Sequence, residues 1–129
     1  MAQFGSVSVW GTEGRWFKSS RPDHNFMKKK FRIFYSTCAN IKDGKMIAKF
    51  LLKNNMALCV NLIKNIDSFY LEKNKIQSET EVAILIKTCC TKNQIEKFIK
   101  KIHKYDVPLI VELKTGLPNK DYLDWFFKI

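Results

Sequence analysis

The sequence is short of the residues that punctuate, staple or anchor a chain. It holds five glycines and three prolines in 129 residues, too few for a low-complexity linker array. No apolar run approaches the roughly 20 residues of a bilayer-spanning helix, and no charged lead followed by an apolar stretch marks a secretory signal. A membrane partner is not expected, and a cytoplasmic location is. After Met27 the only histidine is His103, which excludes a His-rich metal centre built within one chain. There is no Gly-rich phosphate loop, Gly-x-Ser-x-Gly elbow or His-Glu-x-x-His helix, so those enzyme classes are excluded and a non-enzymatic role is expected. Cys38, Cys59, Cys89 and Cys90 show no Cys-x-x-Cys spacing and read as reduced thiols. Acidic residues are outnumbered 12 to 23, giving a net charge of +11, yet Arg15, Arg21 and Arg32 are the only arginines. Phosphate and base recognition lean on the bidentate fork of arginine, so a solvated lysine-rich surface is expected rather than a nucleic-acid partner.

What is present is enough for one packed domain. A chain of this size buries roughly two-thirds of the surface it exposes when unfolded, without needing a metal or a disulfide. Residues 1–26 hold Gly5, Gly11, Gly14, Trp10 and Trp16 and sustain no helical or strand period. They read as an N-terminal extension, poorly ordered or an artefact of expression. The domain is expected over 27–129.

The chain is organised around Val82–Ile86, an apolar run of the kind buried on both faces of a sheet. Thr91 and Gln94 have capping-box spacing, and Ile95, Phe98, Ile99 and Ile102 form one apolar helical stripe ending near His103. Pro108 precedes a strand at Leu109–Val111. Upstream, Phe31–Thr37 reads as a strand. Asn40 or Asp43 caps a helix whose inner stripe is Met46, Ile47, Phe50 and Leu51, with Asn54-Asn55 as its end. Ala57–Ile63 is a second strand, which Asp67–Leu71 extends or follows as a hairpin arm turning at Lys73-Asn74. Asn119 caps a last helix carrying Tyr122, Leu123, Trp125 and Phe126. The order β-α-β-β-α-β with a terminal helix predicts an α+β, ferredoxin-like antiparallel sheet with two helices on one face.

Five short motifs stand in order along it: Leu58-Cys59-Val60-Asn61, Ser68-Phe69-Tyr70, Glu81-Val82 through Ile86-Lys87-Thr88, His103-Lys104-Tyr105-Asp106-Val107-Pro108, and Tyr122-Leu123-Asp124-Trp125. From Phe31 to about Phe127 the chain resembles the CutA divalent-cation tolerance family. That resemblance implies a tight homotrimer with strand arms paired across subunits, similar to the PII signalling proteins. It implies a binding or structural role in tolerance of copper and other divalent ions. It would gather Cys59, Asn61, Tyr70, Lys87, His103 and Tyr105 in a cleft between subunits. A copper or other divalent cation would bind weakly there on His103 and Cys59, with Cys38 a further candidate; thiolate and imidazole suit such ions. The chain departs from the family pattern at Glu72, Asn74, Lys104 and Leu109. Where some bacterial members place copper on a first-strand Cys and two adjacent His, it has Ser36, Ile102 and His103. The alternatives are a basic nucleic-acid binder using Lys92, Lys97, Lys100, Lys101 and Lys104, and a PII-like small-molecule sensor.

Overall fold

The computed structural model describes residues 30–128; the reading of residues 1–26 as an extension lies outside them. Two compact units are present. One is Arg32–Thr115, and the other joins Phe31 to the segment from Gly116 onward.

In the larger unit, β1 (Arg32–Cys38), α1 (Ile41–Lys53), β2 (Cys59–Glu72), β3 (Lys75–Thr88), α2 (Lys92–Ile102) and β4 (Ile110–Leu113) follow one another. The sheet runs β2-β3-β1-β4 with every pair antiparallel, the split βαβ arrangement the sequence predicts. Residues directly opposite each other share a face. Phe34 and Cys38 therefore lie with Ile86 and Val82, and all four are buried with Ile47 and Leu51 of α1 and Ile95 and Ile99 of α2. Both helices thus cover one face of the sheet. The other face carries Ile33, Tyr35, Leu85, Ile63, Val111 and Leu113, side chains left half-buried or exposed. The central run is therefore covered by helices on one side only.

Local chemistry explains the joints. Asn40, rather than Asp43, caps α1: its side chain accepts from the Asp43 N–H at 2.8 Å, and Asp43 sits in the first turn, where a carboxylate favours the helix dipole. Gly44 lets α1 approach the sheet closely, since a Cβ there would stand 3.3 Å from both Cys38 Sγ and a Leu62 methyl. The helix ends in a Schellman motif: Asn55 takes a left-handed φ of 57°, its N–H reaches Leu52 O, and Met56 N–H reaches Leu51 O. At α2 the Thr91–Gln94 capping box is formed in both directions.

Two boundaries differ from the sequence reading. The second strand begins at Cys59 rather than Ala57, and of the two readings of Asp67–Leu71 the structure takes the first: it extends that strand to 14 residues, β2. The alternation breaks because Lys64 and Asn65 together oppose the single residue between Ala83 and Glu81, a β-bulge in which Asn65 has φ 62°. The last strand begins at Ile110 rather than Leu109, beyond the donor-less Pro108. The arm turns at Lys73-Asn74 as expected, between the paired Glu72 and Lys75.

In the smaller unit, α3 (Lys120–Lys128) carries Phe126, fully buried, which meets the Phe31 ring edge-on at 5.0 Å between centroids. Lys120 Nζ bonds the Asp124 carboxylate one turn on at 3.1 Å.

Candidate functional site

The residues expected in one cleft occupy three places on a single chain. At the C-terminal end of β3, Cys59 is the register partner of Lys87, and Asn61 is that of Leu85. The three polar side chains therefore sit in one corner of the open face, since Lys87, Leu85 and Ala83 alternate with the buried Thr88, Ile86 and Ile84. Tyr70 stands far out on the arm, where its hydroxyl donates to Glu79 at 2.9 Å. That hydrogen bond, ahead of the nearby carboxylate charges, raises the pKa of the exposed phenol.

The third place is the opposite end of the sheet. His103 caps α2, its N–H reaching Ile99 O at 2.8 Å. The Tyr105 N–H donates to Nδ1 at 3.0 Å, so Nδ1 must be the unprotonated nitrogen. Nε2 then carries the proton and donates it to the Thr37 carbonyl at 2.7 Å. Both ring nitrogens are engaged, and the imidazole is fixed as one neutral tautomer. The Tyr105 ring lies 4.8 Å from the imidazole, and its hydroxyl donates to Glu81 at 2.6 Å. Burial first, and then the Glu81 bond and charge, push the Tyr105 phenol far above its ordinary range. Cys38, buried beside this corner, donates from Sγ to Asn40 O at 3.4 Å. Burial holds its thiol protonated to a higher pH than usual, and the charges of Asp43 and Glu81 add to that. Lys104 makes an ion pair with Asp43 at 3.6 Å.

Chain geometry separates the first and third places. Cys38 pairs with Val82 and Cys59 with Lys87, five positions apart along β3, about 17 Å at a strand's rise. Among the described residues no three His, Cys, Asp or Glu stand close enough to hold a metal. Ser36, which the resemblance sets where some bacterial members would hold copper, is fully buried, and its hydroxyl has no partner among the described residues. The described residues of one chain therefore do not fit a divalent cation.

Glu81 and Thr37 escaped the sequence reading. Glu81 was visible only as the polar lead into an apolar run; its parity with Ala83 and Leu85 was the signal that put it on the open face. Thr37 contributes a backbone carbonyl, which no side-chain pattern announces. A depression of about 240 Å³ near this corner is lined by Asn40, Lys64, Asn65, Thr80 and Glu81 among others.

Comparison with known proteins gives one answer throughout. The model of the family described as CutA1 divalent ion tolerance protein matches residues 32–128. The Xenopus laevis protein named Protein CutA homolog is 36% identical over 92 residues, covering 70% of this chain and 61% of that protein. The Archaeoglobus fulgidus divalent-cation tolerance protein CutA is 33% identical over 103 residues, covering 79% and 93%. The crystal structure of the divalent ion tolerance protein CutA1 from Ehrlichia chaffeensis superposes with a TM-score of 0.73 at 29% identity, over 78% of this chain and 95% of that one. The chain spans about half to three-fifths of the length of the animal relatives it matches.

Proposed function

The chain belongs to the CutA1 divalent ion tolerance family, and on that premise we propose that it acts as a homotrimer that binds divalent ions between its subunits without catalysing a reaction. One observation carries this reading: a single chain leaves apolar side chains uncovered on both faces of its sheet, on the helix-side face of the arm and on the open face of the body. Phe69, Leu71 and Ile76 on the arm are 71–75% exposed, and by register parity they share one face of it. Ile63, Val111 and Leu113 are exposed on the open face of the sheet. Monomeric proteins rarely leave apolar patches of this extent to water. β2 and β4 are also edge strands with unpaired ladder groups, a liability that pairing between chains removes. The arm and the β4 edge are different surfaces, so pairing one with the other would be head-to-tail, a contact that forms a closed ring where the rotation between subunits closes. Three subunits are the smallest ring beyond a pair.

Assembly also addresses the separation of the donors. The Cys59, Asn61 and Lys87 corner of one subunit would face the His103 and Tyr105 corner of the next. An ion taking Nδ1 of His103 must displace the Tyr105 N–H, and one taking Nε2 must displace the Thr37 carbonyl, so weak and exchangeable binding is expected. Calorimetry with Cu(II) and with Zn(II) on the assembled protein tests this. His103→Ala and Cys59→Ser should each lower the affinity at least tenfold, and equal affinity in all three proteins overturns the site.

A further inference from the structure

At the sheet end that carries the Cys59 and Lys87 corner, but on the helix-covered side, two sulfur atoms meet where α1 hands over to β2 and β3 hands over to α2. Cys90 Sγ lies 4.0 Å from Met56 Sδ. We propose that Met56 and Cys90 form a binding site for a soft monovalent metal ion of the Cu(I) class, separate from the divalent-ion reading above in its residues and in the charge of its ion.

The separation fits an ion held by both sulfurs. At a metal–sulfur distance of about 2.3 Å, sulfurs 4.0 Å apart subtend an angle of about 120° at the ion, the angle of a trigonal site. Its donors are one thiol and one thioether, ligands that select Cu(I) over harder divalent ions. As the ion binds, the Cys90 thiol releases its proton to water, so that a thiolate meets a single positive charge and the pair is neutral. Both residues are half-buried, wet enough for entry and dry enough to strengthen the bond. Cys89, the next residue in the chain, is the nearest further thiol in sequence for the third position.

The two ligands are also pinned before any ion arrives. Met56 ends the Schellman motif of α1, and its N–H is bonded to Leu51 O at 2.8 Å. Its carbonyl accepts from the Thr88 hydroxyl at 2.5 Å, and the same hydroxyl oxygen accepts the Cys90 N–H at 2.9 Å. One buried threonine thus holds both sulfur-bearing residues at once. A site whose ligand backbones are already fixed loses little further freedom on binding.

The test is a titration of the full-length reduced protein, without oxygen, by Cu(I) against a chromophoric Cu(I) chelator. Ag(I) replaces Cu(I) in a parallel series read by native mass spectrometry. The tightest ion should bind once per chain. Cys90→Ser and Met56→Leu should each weaken Cu(I) at least tenfold, and Met46→Leu should leave it unchanged. Melting of each metal-free variant verifies folding, with Cys90→Ala in reserve should the serine variant fail. Wild-type affinity in either Cys90→Ser or Met56→Leu, the same loss in Met46→Leu, or no Cu(I) binding at all would overturn the site. None of those outcomes touches the calorimetry on His103 and Cys59, so the two sites stand or fall separately.

Discussion

Tyr105 is held as a donor by everything around it. Its hydroxyl gives its proton to Glu81, and losing that proton would set a phenolate against a carboxylate in a half-buried corner. The phenol's pKa is therefore raised above its unfolded value near 10.0, so the folded state keeps the proton when the unfolded chain begins to lose it. The stability this provides is fully present below pH 10 and falls as pH rises from there toward the folded pKa. Tyr105→Phe removes the titration and the hydrogen bond together. Urea denaturation at pH 7 should show a loss of about 1 kcal/mol, and the difference between the two proteins should shrink as pH is raised above 10. A difference that stays constant with pH would show that the Glu81 bond does not set the titration. Much of this corner could be read from the sequence, because His103 and Tyr105 lie two residues apart in one motif. The partners that fix them could not, since a backbone carbonyl at Thr37 and a carboxylate more than twenty residues away are supplied by the sheet register.

Among the elements, the β2–β3 hairpin shows both what sequence patterns reveal and what they hide. The turn was legible, since Lys73-Asn74 interrupts two strand-like runs. Both residues take positive φ, 52° and 65°, as the two-residue turns that match strand twist require. Asparagine tolerates that region; lysine pays for it. Lys73→Gly should therefore stabilise the protein by about 0.5–1 kcal/mol after the extra freedom that glycine gives the unfolded chain is counted. Chemical denaturation checks this, and a destabilised variant would mean that the lysine side chain makes a contact the turn needs. The continuity of β2 was left open between an extended strand and a separate arm, and the structure extends it. The bulge at Lys64-Asn65 shifts the alternation by one position, so a period-2 reading loses the strand where the structure continues it.

At the scale of the molecule, the fold was legible because each element announced itself by period or cap, and their order admits few arrangements. Why an apolar arm is left bare was not, because on the proposed assembly its partner is another copy of the chain. Leu71→Asp places a charge in the arm's apolar face without touching the core. Light scattering should then find single chains in place of the trimers proposed for the parent, with the far-ultraviolet dichroism unchanged. An intact trimer would show that the arm is not what holds the subunits together. The tight turn has one more consequence, for the order in which the molecule comes into being. Its innermost pair, Glu72 and Lys75, flanks the turn itself, whereas β1 and β4 must find each other across nearly the whole unit. Closing a short loop costs far less chain entropy than closing a long one, and hairpins form in about 1–10 μs. The arm should therefore be a folding nucleus, with high φ-values beside Lys73-Asn74 and low ones in β4. The part of the protein that most needs partners would then be the first to exist, and protein concentration during folding would decide whether it meets two sister chains or an aggregate.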